Sequence, residues 1–262
     1  MRYLIYFILF ILAFLTLIFS SHNTMRSIAT SLVAGSLFIF IDALILHWKY
    51  IHLLGWSIRY RNQRVRLSIA YLFRIKINNQ YLLVKSKRRK TFQPPGGVYK
   101  RLPSSSQFFN DIGVTEDNYV PCDNSSEDDL RIQIKGKYLL KFFLWLEDRA
   151  SGRETSPWRE FYEELISTNI LSSKHFPYIQ YQLIRQEQSR IKFSKTSDCY
   201  ELRVADIYEL LPDKDQQEEL NKLKNNTSDQ YMWADEETIR HQGVIPQKSL
   251  DITIGDHAIW VV

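Results

Sequence analysis

The chain has 262 residues, a formal net charge of +5 and two cysteines, Cys122 and Cys199, far apart in sequence. Nothing in that spacing suggests a disulfide framework or a cysteine-based zinc or redox motif, which fits a reducing compartment. After an apolar start of about fifty residues, the remainder suffices for one well-cored domain carrying an insertion.

Charge is unevenly spread. Residues 1–48 carry almost none, 49–101 are strongly basic, and the rest is mixed with acidic stretches. A basic block beside an apolar segment suits anionic headgroups, phosphate ligands or both. Residues 3–19 form an uncharged apolar run, and 27–46 a second with one acid, Asp42. A hydrocarbon core about 30 Å thick needs roughly twenty such residues. The pattern predicts a transmembrane hairpin over 1–48, with helices at about 3–19 and 27–47. Lys49, Arg59, Arg61, Arg64 and Arg66 follow the second span, whereas the connection holds only Arg26. Basic residues stay cytosolic, so a multi-pass topology with both termini cytosolic is expected. The competing reading of the first run, a cleaved signal peptide, finds no small-x-small site in the following SSHNTM. Ser27, Ser31 and Gly35 lie at i, i+4 and i+8, which permits close helix packing within or between chains. Asp42 either faces protein and water or snorkels to the cytosolic interface.

Residues 49–66 read as a basic juxtamembrane connector, helical along the membrane surface. A cytosolic domain follows over 67–262, with an insertion at about 98–150. LSIAYLFRIKI, NNQ and YLLVKSK read as a β-hairpin. Pro94-Pro95-Gly96-Gly97 breaks any regular element. Residues 103–130 are polar and acidic and read as a long loop, while 136–148 suits either a buried strand or an amphipathic helix. Residues 155–168 are predicted helical, with Thr155 or Ser156 as cap and Pro157 at the first helical position. Strands are expected at 178–186 and 199–210, and a surface helix or loop at 213–226. A strand running into a short helix is expected at 231–243, and a strand-like end at the C-terminus.

On a helix, Glu160, Glu163 and Glu164 stand at i, i+3 and i+4, so three carboxylates share a face and repel. Mg2+ is the natural neutralising partner, because it takes carboxylate and phosphate oxygens together. Arg159 is placed to hold one carboxylate by a bidentate pair. Lys85, Lys87, Arg88, Arg89, Lys90, Lys100 and Arg101 flank the Pro-Pro-Gly-Gly segment and attract phosphate, anionic lipid or solvent. Phe92, Tyr99, Trp145 and Trp158 are candidates to stack on bases. The six histidines show no metal-ligand spacing.

The order of hairpin, Pro-Pro-Gly-Gly, Arg159-Glu160-Phe161-Tyr162-Glu163-Glu164 and a late Trp233-to-Ile239 segment resembles the Nudix family over about 67–262. The resemblance implies an α+β domain with a mixed sheet sandwiched between helices. The family's box runs G-x5-E-x7-R-E-U-x-E-E-x-G-U. Arg159, Glu160, Phe161, Glu163 and Glu164 match its second half, and Gly97 its opening glycine. Gly97 lies 62 positions before Arg159, so 48 residues are inserted. The first box glutamate falls on Ser151, with Glu154 nearby and out of register, and the terminal glycine falls on Ile166.

With the apolar start, QPPGGVYK and PWREFYEEL make the chain similar to transmembrane–Nudix effectors of bacterial CBASS anti-phage systems. That resemblance implies a cyclic oligonucleotide made by a partner CD-NTase as ligand, with no nucleic acid polymer. It also implies homo-oligomers at the inner membrane and abortive infection. The expected ligand residues are Arg88, Arg89, Lys90, Gly96, Gly97, Tyr99 and Arg159; the membrane residues are Ser31, Gly35 and Asp42. The alternative is a membrane-anchored hydrolase of nucleoside diphosphate-linked substrates. Glu160, Glu163 and Glu164 would then hold Mg2+, with Glu163 and Glu164 catalytic.

Overall fold

A computed structural model describes residues 2–86, 91–117, 128–148, 152–195, 197–244 and 253–262, with side chains from Tyr6 onward. It divides into two compact units, Met1–Arg61 and Asn62–Val262.

The first unit is helical: α1 (Arg2–Phe19), α2 (Asn23–Leu46) and α3 (Trp48–Arg59). The Phe40 ring of α2 meets Phe7 and Phe10 of α1 edge-on, with centroids 6.1 and 6.0 Å apart. The 24 residues of α2 span about 36 Å at 1.5 Å each, enough to cross a bilayer core. Among the described residues, α2 alone is long and apolar enough to do so; the described apolar stretch of α1, Tyr6–Phe19, is shorter. Ser31, Gly35 and Asp42 are exposed on α2. The Ser31 hydroxyl donates to the Ser27 carbonyl at 3.2 Å, and a methyl group at Gly35 would meet nothing within 4 Å. The basic connector is helical through Arg59.

The second unit is a mixed sheet with helices. Its strands are β1 (Arg64–Arg74), β2 (Lys76–Ile77), β3 (Gln80–Lys85), β4 (Phe92–Gln93), β5 (Gly96–Val98), β6 (Thr115–Glu116) and β7 (Arg131–Lys135). After these come β8 (Tyr181–Gln188), β9 (Lys192–Ser194), β10 (Cys199–Leu210) and β11 (Tyr231–Asp235). The larger sheet runs β6-β7-β1-β10-β8, with β5 also on β1 and β9 also on β10. β1 and β10 pair in parallel, from Val65 opposite Tyr200 to Arg74 opposite Glu209. Both are buried through most of their length; β1 is nearly continuously apolar from Leu67 to Phe73, whereas β10 carries Glu201, Arg203, Asp206 and Glu209 among its apolar residues. The smaller, antiparallel sheet runs β11-β3-β2, with β4 on β3.

Three expectations change here. The LSIAYLFRIKI run is not one arm of a hairpin. The strand breaks at Ile75, β1 stays in the larger sheet, and only β2 pairs with β3. Asn78 and Asn79, both at positive φ (47° and 63°), make the tight turn between them. The C-terminal end is a 3-10 helix (Asp256–Val261) rather than a strand. Ala258 and Val261 are buried among Leu72, Leu83, Ile207 and Ile239. The insertion is not merely a loop. It contributes α4 (Ser106–Asp111), β6, β7 and α5 (Leu139–Glu147), and β7 pairs directly with β1. Residues 136–148 are therefore mainly helical. Trp145 stacks on Phe108 and meets Phe109 and Phe142, which places it in the insertion's own aromatic cluster.

The box segment forms α6 (Trp158–Phe161), which continues as a π-helical turn over Tyr162–Ile166. Pro157 occupies the cap position, and the Ser156 hydroxyl accepts the Trp158 N–H at 3.3 Å. Helices α7 (Lys214–Asn225) and α8 (Glu236–Arg240) complete the unit. Asp213 and Gln216 form a full capping box on α7, which resolves 213–226 as helix.

Candidate functional site

The 61 residues between Gly97 and Arg159 do not keep the two apart in space, because the ends of the insertion are paired. The Leu102 N–H donates to the Gly152 carbonyl at 2.7 Å, and the Glu154 N–H to the Lys100 carbonyl at 2.8 Å. The backbone of Arg101 pairs antiparallel with that of Arg153, and the backbone of Lys100 with that of Asp129. The chain thus leaves β5, builds the inserted elements and returns beside its point of departure.

That return delivers Glu154 to Arg159. The Arg159 Nε and Nη2 donate to the two Glu154 carboxylate oxygens at 3.1 and 3.0 Å, a bidentate pair. Nη2 also donates to the Val98 carbonyl at 3.0 Å, and Nη1 to Glu160 Oε1 at 2.6 Å. Glu163 Oε1 stands 3.5 Å from Nη1, on the more exposed side. Arg159 is therefore the hub that ties the box helix to β5 and to the end of the insertion. Glu154, which register places outside the box, is the carboxylate that Arg159 grips with two bonds.

The two glycines are required by contact. Gly96 has φ +147° and lies against the Tyr71 carbonyl, so any side chain there is both strained and obstructed. A methyl group on Gly97 would overlap the Glu160 carboxylate. The Gly96 N–H donates to Glu164 Oε2 at 2.8 Å. Glu160 and Glu164 thus address adjacent glycines, and the Glu160 N–H donates to the Tyr71 hydroxyl at 3.3 Å.

Burial pushes the Glu160 carboxyl above its ordinary range; Arg159 opposes this, while Glu163 and Glu154 add to it. Burial works against the Arg159 charge, yet Glu154 and Glu160 outweigh it and hold its pKa above the usual value. Asp129, delivered by the insertion, is pushed up to about 6, chiefly by burial, against the pull of Arg131 and Lys100. Beneath the site, the Tyr99 hydroxyl donates to Asp206 Oδ2 at 2.8 Å and lies 3.2 Å from the Tyr208 hydroxyl. Gln186 donates to Asp206 Oδ1 at 2.8 Å, so both oxygens of this buried carboxylate are satisfied. The Arg153 guanidinium lies over the Tyr99 ring at 4.9 Å. Tyr99, expected to meet a ligand, is thus a core residue, 1% exposed.

The structure brings Gly96, Gly97, Arg159, Glu160 and Glu164 together and leaves Glu163 toward the rim. Arg88, Arg89 and Lys90 lie outside the described residues. Glu154, Asp129 and Tyr71 were not among the sequence-derived site residues. Glu154 alone had a signal, its closeness to the missing box position.

Nudix domains are in general divalent-metal dependent. Here Glu160 is held by Arg159 and Glu164 accepts from the Gly96 N–H. Among the described residues no three Asp, Glu, His or Cys side chains come together to hold a metal ion. As arranged, Glu160 and Glu163 are turned to Arg159, and Glu164 to the Gly96 N–H.

The family described as SMODS-associated NUDIX domain matches residues 64–262, which covers the second unit from its first strand to the C-terminus. No curated protein matches the chain.

Proposed function

The chain belongs to the SMODS-associated NUDIX family, and from that premise we propose that it is the effector of a bacterial CBASS anti-phage system. Membership supports a CBASS-associated Nudix domain and association with a CD-NTase system that produces cyclic oligonucleotides. In this reading, the domain over 67–262 senses such a nucleotide. The apolar hairpin over 1–48 and the connector over 49–66 hold the domain at the inner membrane, with both termini cytosolic. Ligand binding drives assembly of several chains, because so few helices per chain cannot line a pore alone. Disruption of the membrane then causes abortive infection.

The observation that carries the reading is a rejoined box in a chain whose α2 is long and apolar enough to cross a bilayer. The box carboxylates serve Arg159 and the Gly96 N–H. A site so committed to holding its own loop favours recognition over hydrolysis. For a sharp switch, the ligand must bind the assembled state about 10⁴-fold more tightly than the resting one.

The test is calorimetry of the full chain in lipid nanodiscs against a panel of cyclic di- and trinucleotides. Heat with one member, and dye leakage from vesicles with the same member, is the expected result. No heat with any of them removes the proposal. The double variant Glu163→Gln/Glu164→Gln separates the hydrolase alternative: if phosphohydrolysis is present and is lost together with toxicity, hydrolysis is the output.

A further inference from the structure

The box segment ends beside a cavity that the site described above does not use. Asn169 adopts φ +57°, and the Leu171 N–H returns to the Leu165 carbonyl at 2.8 Å, which stops the helix abruptly. Beyond that stop, a cavity of about 350 Å³ is lined by Val84, Lys85, Ser86, Glu164, Thr168, Ile170 and Gln230. Pairing of β3 with the start of β11 forms one wall, where the Lys85 N–H donates to the Gln230 carbonyl at 2.8 Å. The end of the box segment forms the other.

The chemistry of the lining is mixed in a particular way. Val84 and Ile170 offer apolar surface to a flat ring. Ser86 and Gln230 supply groups that both donate and accept; the Thr168 hydroxyl, which donates to the Glu164 carbonyl at 2.7 Å, supplies an acceptor, as does the Glu164 carboxylate. Lys85, about half exposed, places a cation at the rim, 3.8 Å from Asp229. The volume lies near the lower end of the roughly 300–1,000 Å³ typical of small-molecule sites, which suits one nucleoside unit rather than a whole cyclic oligonucleotide.

We propose that this cavity receives a single nucleoside unit of a phosphorylated ligand. The ring lies against Val84 and Ile170, the base edge meets Gln230, Thr168 and Glu164, and the phosphate sits toward Lys85. The assignment rests on the nucleotide-sensing reading and adds where one base is held. It also supplies a link to the glycine loop. Glu164 lines the cavity and accepts the Gly96 N–H at 2.8 Å, so a base that draws on this carboxylate is felt at Gly96.

The experiment uses the full chain in nanodiscs. The probes are AMP, GMP, CMP and UMP, their parent nucleosides, and cyclic di- and trinucleotides carrying the same bases. Ser86→Trp and Thr168→Trp fill the cavity from opposite walls, and each should weaken the best probe by about tenfold or more. Lys85→Ala, a change at a half-exposed side chain, keeps the test valid should either filled variant fail to fold. It should weaken a monophosphate while leaving its nucleoside within about twofold. Hydrogen exchange at the Gly96 amide should change when the best probe binds the wild-type chain. Wild-type affinity in both filled variants, or equal losses for monophosphate and nucleoside in Lys85→Ala, overturns the cavity assignment and leaves nucleotide sensing standing. Absence of binding by every probe to the wild-type chain overturns both.

Discussion

Arg159→Ala is the sharpest perturbation of the rejoined box. The guanidinium is 24% exposed, and the Glu154 and Glu160 side chains are each 16% exposed, so solvent screens these pairs only in part. Truncation strips Glu154 of both its bonds to arginine, Glu160 of one, and the Val98 carbonyl of its donor. Removing one partner of a buried ion pair costs about 3–5 kcal/mol, and partial exposure puts this case near ~3 kcal/mol at neutral pH. For a domain of this size, 1 kcal/mol corresponds to about 2–4 °C, so the melting temperature should fall by about 6–12 °C. Arg159→Lys keeps a charge but loses the fork, and should fall between the variant and the wild type.

The loss should depend on pH with a definite sign. Burial already raises Glu160, and Arg159 is the largest influence opposing that rise. Without the arginine, the folded-state pKa moves further above its unfolded value. Such a group contributes stability at acid pH and loses it as pH climbs through the folded value. The deficit of Arg159→Ala should therefore be small near about pH 4.5 and full near about pH 7.5. Differential scanning fluorimetry of the full chain in detergent at both values measures it. A deficit under about 1 kcal/mol at neutral pH, or one that does not change with pH, refutes the role assigned to Arg159.

Three other outcomes follow from the same geometry. Gly97→Ala forces a methyl group into the Glu160 carboxylate and should cost about 2 kcal/mol in the wild-type chain but much less when added to Glu160→Ala; the same cost in both backgrounds sinks the contact argument. Asp129→Asn imitates the protonated form of a carboxyl raised to about 6. Relative to wild type, the variant should gain about 1–2 kcal/mol between pH 5 and pH 8, and a difference flat across that window counts against the burial of this charge. Tyr99→Phe removes the hydroxyl that donates to Asp206, leaving Gln186 as its donor among the bonds described, and should cost about 1–3 kcal/mol in a thermal melt.

Much of the second unit was legible because its signals are local. The start of β10 alternates Tyr200, Leu202 and Val204 with the charged Glu201 and Arg203, and the Asp213/Gln216 pair announces the start of α7. The strand break at Ile75 was not legible, because an apolar run continues on both sides of it and only sheet membership distinguishes them. Residues 136–148 pack aromatic side chains on several faces, so no single period dominates, and the inserted aromatic cluster decides the helix. The C-terminal IWVV run is short and apolar, a pattern that suits a strand and a buried turn equally. Its 3-10 form is fixed by packing and by Arg185, whose Nη2 donates to the Trp260 and Val262 carbonyls.

The candidate site was half legible for a deeper reason. A spacing motif assumes that sequence separation stands for spatial separation, and an insertion breaks that assumption on one side only. The second half of the box kept its register because one helical segment carries it. The first half lost its glutamate because the insertion rejoins through backbone pairs at Lys100, Leu102, Gly152 and Glu154 rather than at a fixed count of residues. What the fold preserves is an arginine with a buried carboxylate partner and a glycine that admits another carboxylate. The π-helical turn at Tyr162–Ile166 acts on the same arrangement. Five-residue hydrogen bonding widens the helix between Glu160 and Glu164, so the two need not share the stripe that ideal α-helical spacing predicts. Glu160 and Glu163 then share Arg159 Nη1 while Glu164 turns to the Gly96 N–H, so two of the three box carboxylates stay on the arginine and the third serves the glycine loop.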